Sequence, residues 1–355
     1  MTKTIPKDYS LKNSQFIYRT KAYTTQEFIA LNALPDWAQE IQELIIKFQD
    51  NEDFLVFQTS GSTGIPKKIV HPKGRLIASA KRTLDFFKLA EGASAALVLP
   101  AQFTAGAMMI IRTLIGGLRL HLEQPSLTPK IPKNVDFLPC TPAQFSHLQS
   151  RQSLTDFQGT ILLGGSSVPS HIKANGNIVY VGYGLTETAS HVAVRLLEEK
   201  YYRALAGVQF SIEMGCLCIK DVLLGINKLV TNDIVTDLDG NRFIVSGRSD
   251  NTINSGGLKI NPELLEEVFT KPETLCCLSS IPDEHLGERL VLVFEKEHPV
   301  KEIFHKMKDI PSNRQPKWYI CGITLPKLPT GKIDRIGLRK YLKAHLHLLS
   351  PIESK

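Results

Sequence analysis

The stretch Thr59-Ser-Gly-Ser-Thr-Gly-Ile-Pro-Lys-Lys68 decides the fold of this chain. It follows the apolar run Phe54-Leu-Val-Phe57 directly, and this order predicts a buried strand that ends in a glycine-rich loop. Gly61 and Gly64 leave backbone N–H groups free to point at one anion, while the neighbouring hydroxyl side chains add short donors. The sequence therefore predicts a loop that wraps phosphate, with Lys67 as a positive charge behind the proline.

The loop differs from a Walker A sequence, which needs G-x-x-x-x-G-K-[ST] at the start of a helix. Here the two glycines are three positions apart, Pro66 precedes the lysine, and the extended pair Ile69-Val70 follows. A flexible surface linker of serine and glycine is the alternative interpretation. We favour the phosphate loop, because a linker is not expected between two apolar strands.

Strands and helices alternate between residues 54 and 200. Such alternation is typical of a parallel sheet with helices on both faces. Ligands of these sheets bind beyond the carboxyl ends of the strands, where the loop at 59–68 is predicted to lie. The predicted elements of this region are strands at 95–99, 135–138, 160–163 and 178–181 and helices at 75–89 and 142–148.

The pattern changes after residue 207 to short strands separated by turns, which predicts a small antiparallel sheet up to residue 245. A compact α+β unit with a basic last helix follows Asp250. Its predicted elements are helices at 262–269, 300–308 and 335–345 and strands at 275–279 and 289–294.

The loop at 59–68 resembles the phosphate loop of the acyl-adenylate-forming enzymes, which include acyl-CoA synthetases, peptide-synthetase adenylation domains and luciferases. Their pattern runs T-S-G-[ST]-T-G-x-P-K-G, and Lys68 replaces its last glycine. The resemblance implies that this loop binds ATP and that Lys67 takes part in catalysis. The loop residues that it assigns to the nucleotide are Thr59, Ser60, Gly61, Ser62, Thr63, Gly64 and Lys67.

A second match is Tyr183-Gly-Leu-Thr-Glu-Thr188, where the family has Y-G-x-T-E. The resemblance implies that the ring of Tyr183 stacks on adenine, that Gly184 lets the backbone approach the base, and that Thr186 binds a phosphate in a catalytic role. It also implies that Glu187 binds Mg²⁺, which prefers carboxylate oxygen together with water and substrate phosphate. The alternative is a strand–turn–helix junction in which Thr186 is only the N-cap.

Two shorter matches extend the predicted nucleotide site. Thr231-Asn-Asp233 stands where the family has T-G-D or S-G-D, whose aspartate accepts hydrogen bonds from the ribose hydroxyls. Asparagine is the best non-glycine residue for a positive φ, so Asn232 is tolerable. The stretch Leu162-Leu-Gly-Gly-Ser-Ser-Val-Pro169 is similar to the turn beside the nucleotide in the family. It adds to the predicted nucleotide site Gly164, Gly165 and Ser166.

The stretch from Ser246 resembles the family's G-R-x-D hinge, followed by I-x-S-G-G-x-x-I-x-P-x-E. Arg248 would hold the ribose or a phosphate, and Asp250 would be the pivot between two domains. A glycine-rich hairpin with a helix cap is the alternative, but it leaves the arginine and the aspartate unexplained. The residues assigned to CoA and the second half-reaction are Ser255, Gly256 and Gly257.

The fold class that follows is α/β. It has a large N-terminal domain with parallel-type sheets flanked by helices plus a small antiparallel sheet, and a mobile C-terminal α+β domain. The predicted boundaries are 1–247 for the large domain, 248–250 for the hinge and 251–355 for the small domain.

The last match is Leu325-Pro-Lys-Leu-Pro-Thr-Gly-Lys332, where the family has P-x-T-x-x-G-K. The resemblance implies that Lys332 is catalytic and also contacts the nucleotide, because a flexible ammonium can bridge the acid's carboxylate and the α-phosphate. A lysine in such a turn is otherwise simply solvated. With this match, five motifs in family order cover residues 59 to 332.

Residues 99–112 and 184–190 are most similar to the o-succinylbenzoate–CoA ligases of menaquinone biosynthesis. Arg112 lies in the apolar helical run 105–115, and a buried arginine demands an anionic partner. The spare carboxylate of a dicarboxylic acid would bind the guanidinium at two points. Two alternatives are a side chain that reaches solvent and a pair with an aspartate or glutamate. The residues assigned to the acid are Arg112, Gly106 and Ser190.

The composition excludes several classes of protein. The net charge of +7 over 355 residues suits anionic small molecules such as ATP and CoA, and no dense basic run with interleaved aromatics indicates nucleic-acid binding. The six cysteines fit neither a zinc site nor a disulfide framework. The N-terminus lacks an apolar signal region, and no apolar run reaches the ~18 residues of a membrane span. We therefore expect a cytoplasmic protein without membrane insertion.

The resemblance implies an ATP-dependent acid–CoA ligase that needs ATP, Mg²⁺ and coenzyme A. Its expected reaction joins o-succinylbenzoate to CoA and releases AMP and diphosphate. The alternatives are another aryl or fatty acid, loading of a carrier protein, or a catalytically inactive nucleotide-binding protein. This chain has 58 residues before the phosphate loop, fewer than the family usually has. We expect a shortened N-terminal subdomain, and a homodimer is one way to replace its wall of the acid pocket.

Overall fold

The structure is a computed structural model that describes most of the chain. The predicted phosphate loop from Thr59 to Gly64 lies outside the described residues, and so do Thr330 and Gly331, which precede Lys332. The described residues are 11–58, 67–169, 172–270, 275–308, 310–328 and 332–352.

Within these residues the chain forms α-helices and β-strands in the alternation that the sequence predicts. The helices are α1 (Thr25–Ile29), α2 (Asp36–Gln49), α3 (Lys73–Phe86), α4 (Thr104–Gly116), α5 (Pro142–Ser150), α6 (Pro262–Phe269), α7 (Val300–Met307) and α8 (Arg335–Ala344). The strands are β1 (Gln15–Tyr18), β2 (Lys21–Thr24), β3 (Phe54–Gln58), β4 (Lys68–Pro72), β5 (Ser94–Leu97), β6 (Arg119–Leu122), β7 (Phe137–Cys140), β8 (Thr160–Leu163), β9 (Ile178–Gly184), β10 (His191–Leu196), β11 (Tyr202–Ala204), β12 (Val208–Glu213), β13 (Cys216–Asp221), β14 (Ile226–Asp239), β15 (Arg242–Arg248), β16 (Ile253–Ser255), β17 (Leu258–Ile260), β18 (Cys276–Asp283), β19 (Gly287–Phe294), β20 (Trp318–Ile320) and β21 (Ser350–Pro351).

The largest sheet in the described part of the chain has thirteen strands, in the order β12-β13-β14-β15-β11-β10-β9-β8-β7-β5-β6-β1-β2. Strands β5, β7, β8 and β9 run parallel, as predicted, and β6 and β1, which the sequence did not predict, continue this parallel arrangement. The predicted strand at 54–57 is not part of it, because β3 pairs with β4 in a separate sheet. The predicted antiparallel strands are also present, and they continue the same sheet because β10 turns back on β9 and β11 pairs with β15. The predicted α/β fold class is confirmed.

Helix α4 belongs to the hydrophobic core formed by residues 16–205, and all its residues from 106 to 116 are buried. Gly106 allows its first turn to lie against the preceding loop, since a Cβ there would stand 2.1 Å from the carbonyl oxygen of Pro100. The helix ends at Gly117, whose φ of 68° is the left-handed conformation that terminates many helices. A tightly packed helix of this kind holds its polar side chains in fixed places.

The strands that flank the predicted phosphate loop pair with each other. β3 and β4 form a two-stranded antiparallel sheet in which Val56 faces Val70. Gln58, the last described residue before the loop, also pairs with Phe103 next to the start of α4. The end of β3 therefore lies beside the amino end of that helix.

The part of the chain after residue 253 has its own sheet and hydrophobic cores, separate from those before it. The amide Nδ2 of Asn261 donates a hydrogen bond to the carbonyl oxygen of Ser246 at 2.6 Å, and so ties the start of α6 to the end of β15. The division at 248–250 stays a prediction. No helix among the described residues combines the length and the apolar character that crossing a membrane needs.

Candidate active site

Three predicted nucleotide residues meet, one from β9 and two from the paired strands β14 and β15. The hydroxyl of Tyr183 donates to Asp233 Oδ2 at 2.5 Å, and Arg248 Nη1 donates to Asp233 Oδ1 at 3.1 Å. Asp233 and Arg248 are also paired residues of β14 and β15, so the backbone register brings them together. Both oxygens of the Asp233 carboxylate are therefore oriented by neighbours.

Charges at this cluster are well defined. Burial, and then the Asp233 carboxylate, raise the pKa of Tyr183, so its hydroxyl stays a neutral donor. The hydrogen bond from Arg248 to Asp250 raises the pKa of Arg248, so the guanidinium stays charged. Burial by itself would raise the pKa of Asp250, but the contact with Arg248 outweighs it and the pKa is lowered.

Arg248 also connects the cluster with the predicted hinge. Its Nε and Nη2 donate to the two carboxylate oxygens of Asp250 at 2.9 and 2.7 Å. Asn232 Nδ2 donates to the same carboxylate at 3.2 Å. The residue that replaces the family's glycine thus gains a partner at the hinge, which the motif did not predict.

Lys332 reaches this cluster from the other end of the chain. The N–H of Leu328 donates to the carbonyl oxygen of Lys332 at 2.8 Å. Desolvation and then the charge of Arg248 lower the pKa of Lys332, and the charge of Asp233 opposes them. The structure therefore brings Tyr183, Asp233 and Arg248 into contact, and the charges of Arg248 and Asp233 reach Lys332, although the four residues come from four separate motifs.

Thr186 begins a short 3-10 helix, Thr186–Thr188, with Leu185 at the N-cap position. The alternative that made Thr186 the N-cap is therefore wrong. The hydroxyl of Thr104 lies 3.3 Å from the hydroxyl of Thr186 and donates to it. Because Thr104 starts α4 next to Phe103, Thr186 lies on the same side as the amino-terminal flank of the phosphate loop.

His71 lies on β4, the strand that follows the loop, and none of the motifs contains it. Its Nε2 lies 2.8 Å from the carbonyl oxygen of Thr186 and must donate to it, because a carbonyl only accepts. Its Nδ1 is buried without a hydrogen-bond partner among the described residues. Burial lowers the pKa of His71, so the ring is neutral. The sequence signal was its place on β4, two residues after Ile69, on the inward face of the strand.

Glu187 is half-buried beside Thr186. The described residues contain no group of three histidine, cysteine, aspartate or glutamate side chains that would bind a metal ion without help. A single carboxylate fits Mg²⁺ nonetheless, since this ion keeps several waters and is usually bound through one or two carboxylates and substrate phosphates.

Other predicted residues lie at the edge of this site or away from it. Gly164 and Gly165 follow β8 directly, at the same end of the sheet as Tyr183, and are followed by Ser166. Gly184 allows a close approach, because a Cβ there would stand 2.2 Å from the carbonyl oxygen of Ser190. Lys67 lies immediately before β4 and is exposed.

Ser255, Gly256 and Gly257 form the tip of the hairpin between β16 and β17. The N–H of Gly256 donates to the carbonyl oxygen of Leu286 at 2.8 Å, within the C-terminal part. None of the hydrogen bonds and ion pairs found for the described residues connects this tip to Asp233 or Arg248. The structure shows the hairpin of the alternative interpretation, and a role in the second half-reaction stays a prediction.

Arg112 is buried, with 2% of its surface exposed, so the alternative in which it reaches solvent is wrong. Its Nη2 donates to Ser190 Oγ at 2.6 Å, while its Nε has no hydrogen-bond partner among the described residues. No aspartate or glutamate in the described ranges forms an ion pair with it, so the second alternative is wrong there too. Burial, and then the charge of Arg82, lower the pKa of Arg112 to about 9.

The neighbouring Arg82 already has a carboxylate partner, whereas Arg112 has none in the part of the chain that the structure describes. Arg82 and Asp221 form a buried ion pair at 2.6 Å. That carboxylate balances one guanidinium, and Arg112 is left as a buried cation without a counter-ion among the described residues. Because an unpaired buried charge is costly, this guanidinium is suited to an anionic partner that arrives from outside.

Comparison with known proteins identifies relatives of the chain. The profile of the AMP-binding enzyme family matches residues 8–214, more than half of the sequence. The 2-succinylbenzoate–CoA ligase of Haemophilus influenzae is 27% identical over 289 residues, which cover 73% of this chain and 64% of the relative. The chain thus spans just under two thirds of the length of that relative.

Two solved structures are similar as well. An acyl-CoA synthetase (AMP-forming)/AMP-acid ligase II-like protein from Dyadobacter fermentans is 30% identical with a TM-score of 0.57, over 90% of this chain and 98% of that chain. The o-succinylbenzoate CoA synthetase of Bacillus subtilis, solved with its acyl-adenylate intermediate, is 21% identical with a TM-score of 0.69, over 80% and 68% of the two chains. At that identity the second likeness concerns the fold alone.

Proposed function

The chain belongs to the family of AMP-binding enzymes, and from this premise we propose that it activates a small acid as an acyl-adenylate and transfers the acyl group to CoA. The observation that supports this proposal most is the contact of three side chains from separate motifs. Tyr183, Asp233 and Arg248 are in contact, and Lys332 lies within the reach of their charges. A carboxylate, a guanidinium and an ammonium so placed suit a ribose and an α-phosphate.

In the first step a carboxylate oxygen of the acid attacks the α-phosphorus of ATP, and diphosphate leaves. Asp233 accepts hydrogen bonds from the ribose hydroxyls, while Tyr183 and Arg248 keep its carboxylate in place. The ammonium of Lys332 stabilises the negative charge that builds up between the carboxylate and the α-phosphate. Mg²⁺, held by Glu187 together with phosphate oxygens, would supply neutralisation of the diphosphate charge.

In the second step the CoA sulfur attacks the acyl carbon, AMP leaves with the bonding electrons, and the thiol proton is released. The protein's main contribution is to position the reactants. Since ATP and CoA are the proposed co-substrates, the cytoplasm is where we expect the enzyme to work. All six cysteines are free in the structure, which suits a reducing compartment.

The acid that we propose as the substrate is o-succinylbenzoate, as in menaquinone biosynthesis. Arg112 is the reason, because it is a buried guanidinium without a carboxylate partner among the described residues. A dicarboxylic acid has one carboxylate to activate and a second one to pair with Arg112. The similarity to the 2-succinylbenzoate–CoA ligase of H. influenzae points to the same acid.

The proposal is tested by ATP–diphosphate exchange with purified protein and a panel of acids, followed by mass spectrometry of the products formed with CoA. We expect exchange that depends on acid, with o-succinylbenzoate as the best substrate, and its CoA thioester as the product. Absence of exchange with every acid would instead support an inactive nucleotide-binding protein. A different acid as the best substrate would refute the assignment of o-succinylbenzoate but retain the adenylation chemistry.

Replacing the predicted pivot, Asp250→Pro, should slow thioester formation from acyl-adenylate and CoA more than adenylation, by about tenfold or more. Proline fixes φ at the hinge, and the influence of the Asp233 charge on Lys332 supports a conformation suited to the first step. The two half-reactions are measured separately by diphosphate exchange and by single-turnover thiolysis. Asp250→Ala is the control, because it removes the contact with Arg248 but leaves φ free. Equal losses in both half-reactions of the proline variant would refute domain rotation.

A homodimer stays a prediction from the sequence. The outward face of the β3–β4 sheet carries Phe54, Val56 and Val70, which are 44%, 45% and 57% exposed. We expect light scattering to show a dimer that Val56→Lys converts to a monomer, because a charge cannot be buried there without a partner. Val222→Lys, at a site 66% exposed on another surface, is the control. A monomeric wild-type protein would refute the dimer.

A further inference from the structure

A series of hydrogen-bonded polar side chains runs from Arg112 into the core. Arg112 Nη2 lies 2.6 Å from Ser190 Oγ, and Ser190 Oγ lies 3.2 Å from His191 Nδ1. On the far side of the imidazole, His191 Nε2 lies 3.4 Å from Thr83 Oγ1, which lies 3.1 Å from the carbonyl oxygen of Ser79. Arg112, His191 and Thr83 are all buried, so water does not compete for these contacts.

The two ends of this series determine the direction of its hydrogen bonds. A carbonyl only accepts and a guanidinium only donates. Thr83 uses its single hydroxyl hydrogen on the carbonyl of Ser79, so its oxygen accepts from the Nε2–H of His191. Nδ1 of the neutral ring then accepts from the hydroxyl of Ser190. The Ser190 oxygen, its hydrogen already used, accepts from Arg112.

The surroundings of His191 favour this arrangement. Burial first, and then the charges of Arg112 and Arg82, lower the pKa of His191 well below its ordinary value, so the ring is neutral. The ring of Phe87 packs edge-on against it, with centroids 6.1 Å apart. A Cβ at position 182 would stand 3.2 Å from the Cβ of His191, so Gly182 gives the residue room. The imidazole therefore has one protonation state and one orientation.

We propose that His191 is a positioning residue that, through Ser190, orients the guanidinium of Arg112 toward the second carboxylate of a dicarboxylic acid. This inference rests on the proposed function, and it names the device by which the site selects dicarboxylic over monocarboxylic acids. Without the bond from Ser190 to His191, the hydroxyl of Ser190 rotates freely and Arg112 loses its fixed acceptor. The binding of the second carboxylate weakens, while the groups around the α-phosphate keep their places.

The test compares His191→Leu with His191→Asn, which have nearly the same shape. The asparagine oxygen stands close to the position of Nδ1 and still accepts from Ser190, whereas leucine has no acceptor. The two acids are o-succinylbenzoate and 4-phenyl-4-oxobutanoate, which lacks the ring carboxylate. The readout is the ratio of kcat/KM for the two acids in diphosphate release. We expect His191→Leu to lower this ratio about tenfold, mainly through KM, and His191→Asn to lower it no more than about threefold.

Thr83→Val is a second variant, which removes the hydroxyl at the far end of the series with little change of volume. We expect a fall of the same ratio by about threefold, and thermal unfolding checks that each variant is folded. If His191→Leu does not fold, Thr83→Val decides the question in the same assay. An unchanged ratio, or equal losses for both acids, would overturn the role of His191. A wild-type protein that releases no diphosphate with either acid would refute the proposed function instead.

Discussion

Replacing Lys332 with alanine is expected to slow the formation of the acyl-adenylate about a hundred- to thousandfold, the usual effect of removing one group that stabilises transition-state charge. The structure places the ammonium where Arg248 and Asp233 act on its pKa. The α-phosphate of a nucleotide whose ribose binds Asp233 would lie beside it. The variant is measured by ATP–diphosphate exchange with o-succinylbenzoate as the acid.

The same variant should retain the second half-reaction. Acyl-adenylate supplied from outside is expected to react with CoA at nearly the wild-type rate, because the role proposed for Lys332 is confined to the formation of the bond to phosphorus. Lys327→Ala is the matched control, since this lysine lies in the same turn but pairs with Glu295 at 3.4 Å. Equal loss of both half-reactions, or wild-type exchange by Lys332→Ala, would contradict the role assigned to the ammonium.

The lowered pKa of Lys332 gives this role a pH signature. The free enzyme loses the ammonium as the pH rises through a value below the ordinary lysine pKa. The dependence of kcat/KM on pH reports groups of the free enzyme. We therefore expect kcat/KM for adenylation to fall on the alkaline side earlier than an ordinary lysine would cause. The residual activity of Lys332→Ala should lack that fall, whereas a fall shared by both proteins would assign it to another group.

Local sequence patterns predicted elements best where one pattern fills one element. Helix α6 occupies the predicted residues, because Asn261 caps it and Pro262 takes the first helical position. Strand β8 also matches, since a short apolar run is bounded by glycines. Strand β9 extends past the prediction to Gly184, because its last residues gain partners on β10 that only the tertiary fold supplies.

The candidate site shows the same division between local and long-range information. Tyr183, Asp233 and Arg248 were predictable because each lies in a short motif, although only the structure shows that they touch. His71 and His191 carry no motif. Their partners, Thr186 and Thr83, are 115 and 108 residues away along the chain, so the local sequence does not show these contacts.

Replacing Arg112 with methionine is expected to lower kcat/KM for o-succinylbenzoate about a hundredfold or more, because a charge-assisted contact with the second carboxylate is lost. Methionine is unbranched and fills the pocket without a charge. The loss should be much smaller for 4-phenyl-4-oxobutanoate, which has no second carboxylate to pair. Initial rates of diphosphate release with both acids measure the effect, and Met109→Leu on the same buried helix is the control for altered packing.

The stability of the same variant separates a binding role from a structural one. A group whose pKa is lower in the folded protein than in the unfolded chain opposes folding while it is charged, and burial lowers the pKa of Arg112 to about 9. At neutral pH and without substrate, Arg112→Met should therefore have a higher free energy of unfolding than the wild type, measured by urea denaturation. If Arg112 stabilised the core, Arg112→Met would instead have a lower free energy of unfolding than the wild type. A less stable variant with unchanged kinetics would show that Arg112 supports the fold and that the acid binds elsewhere.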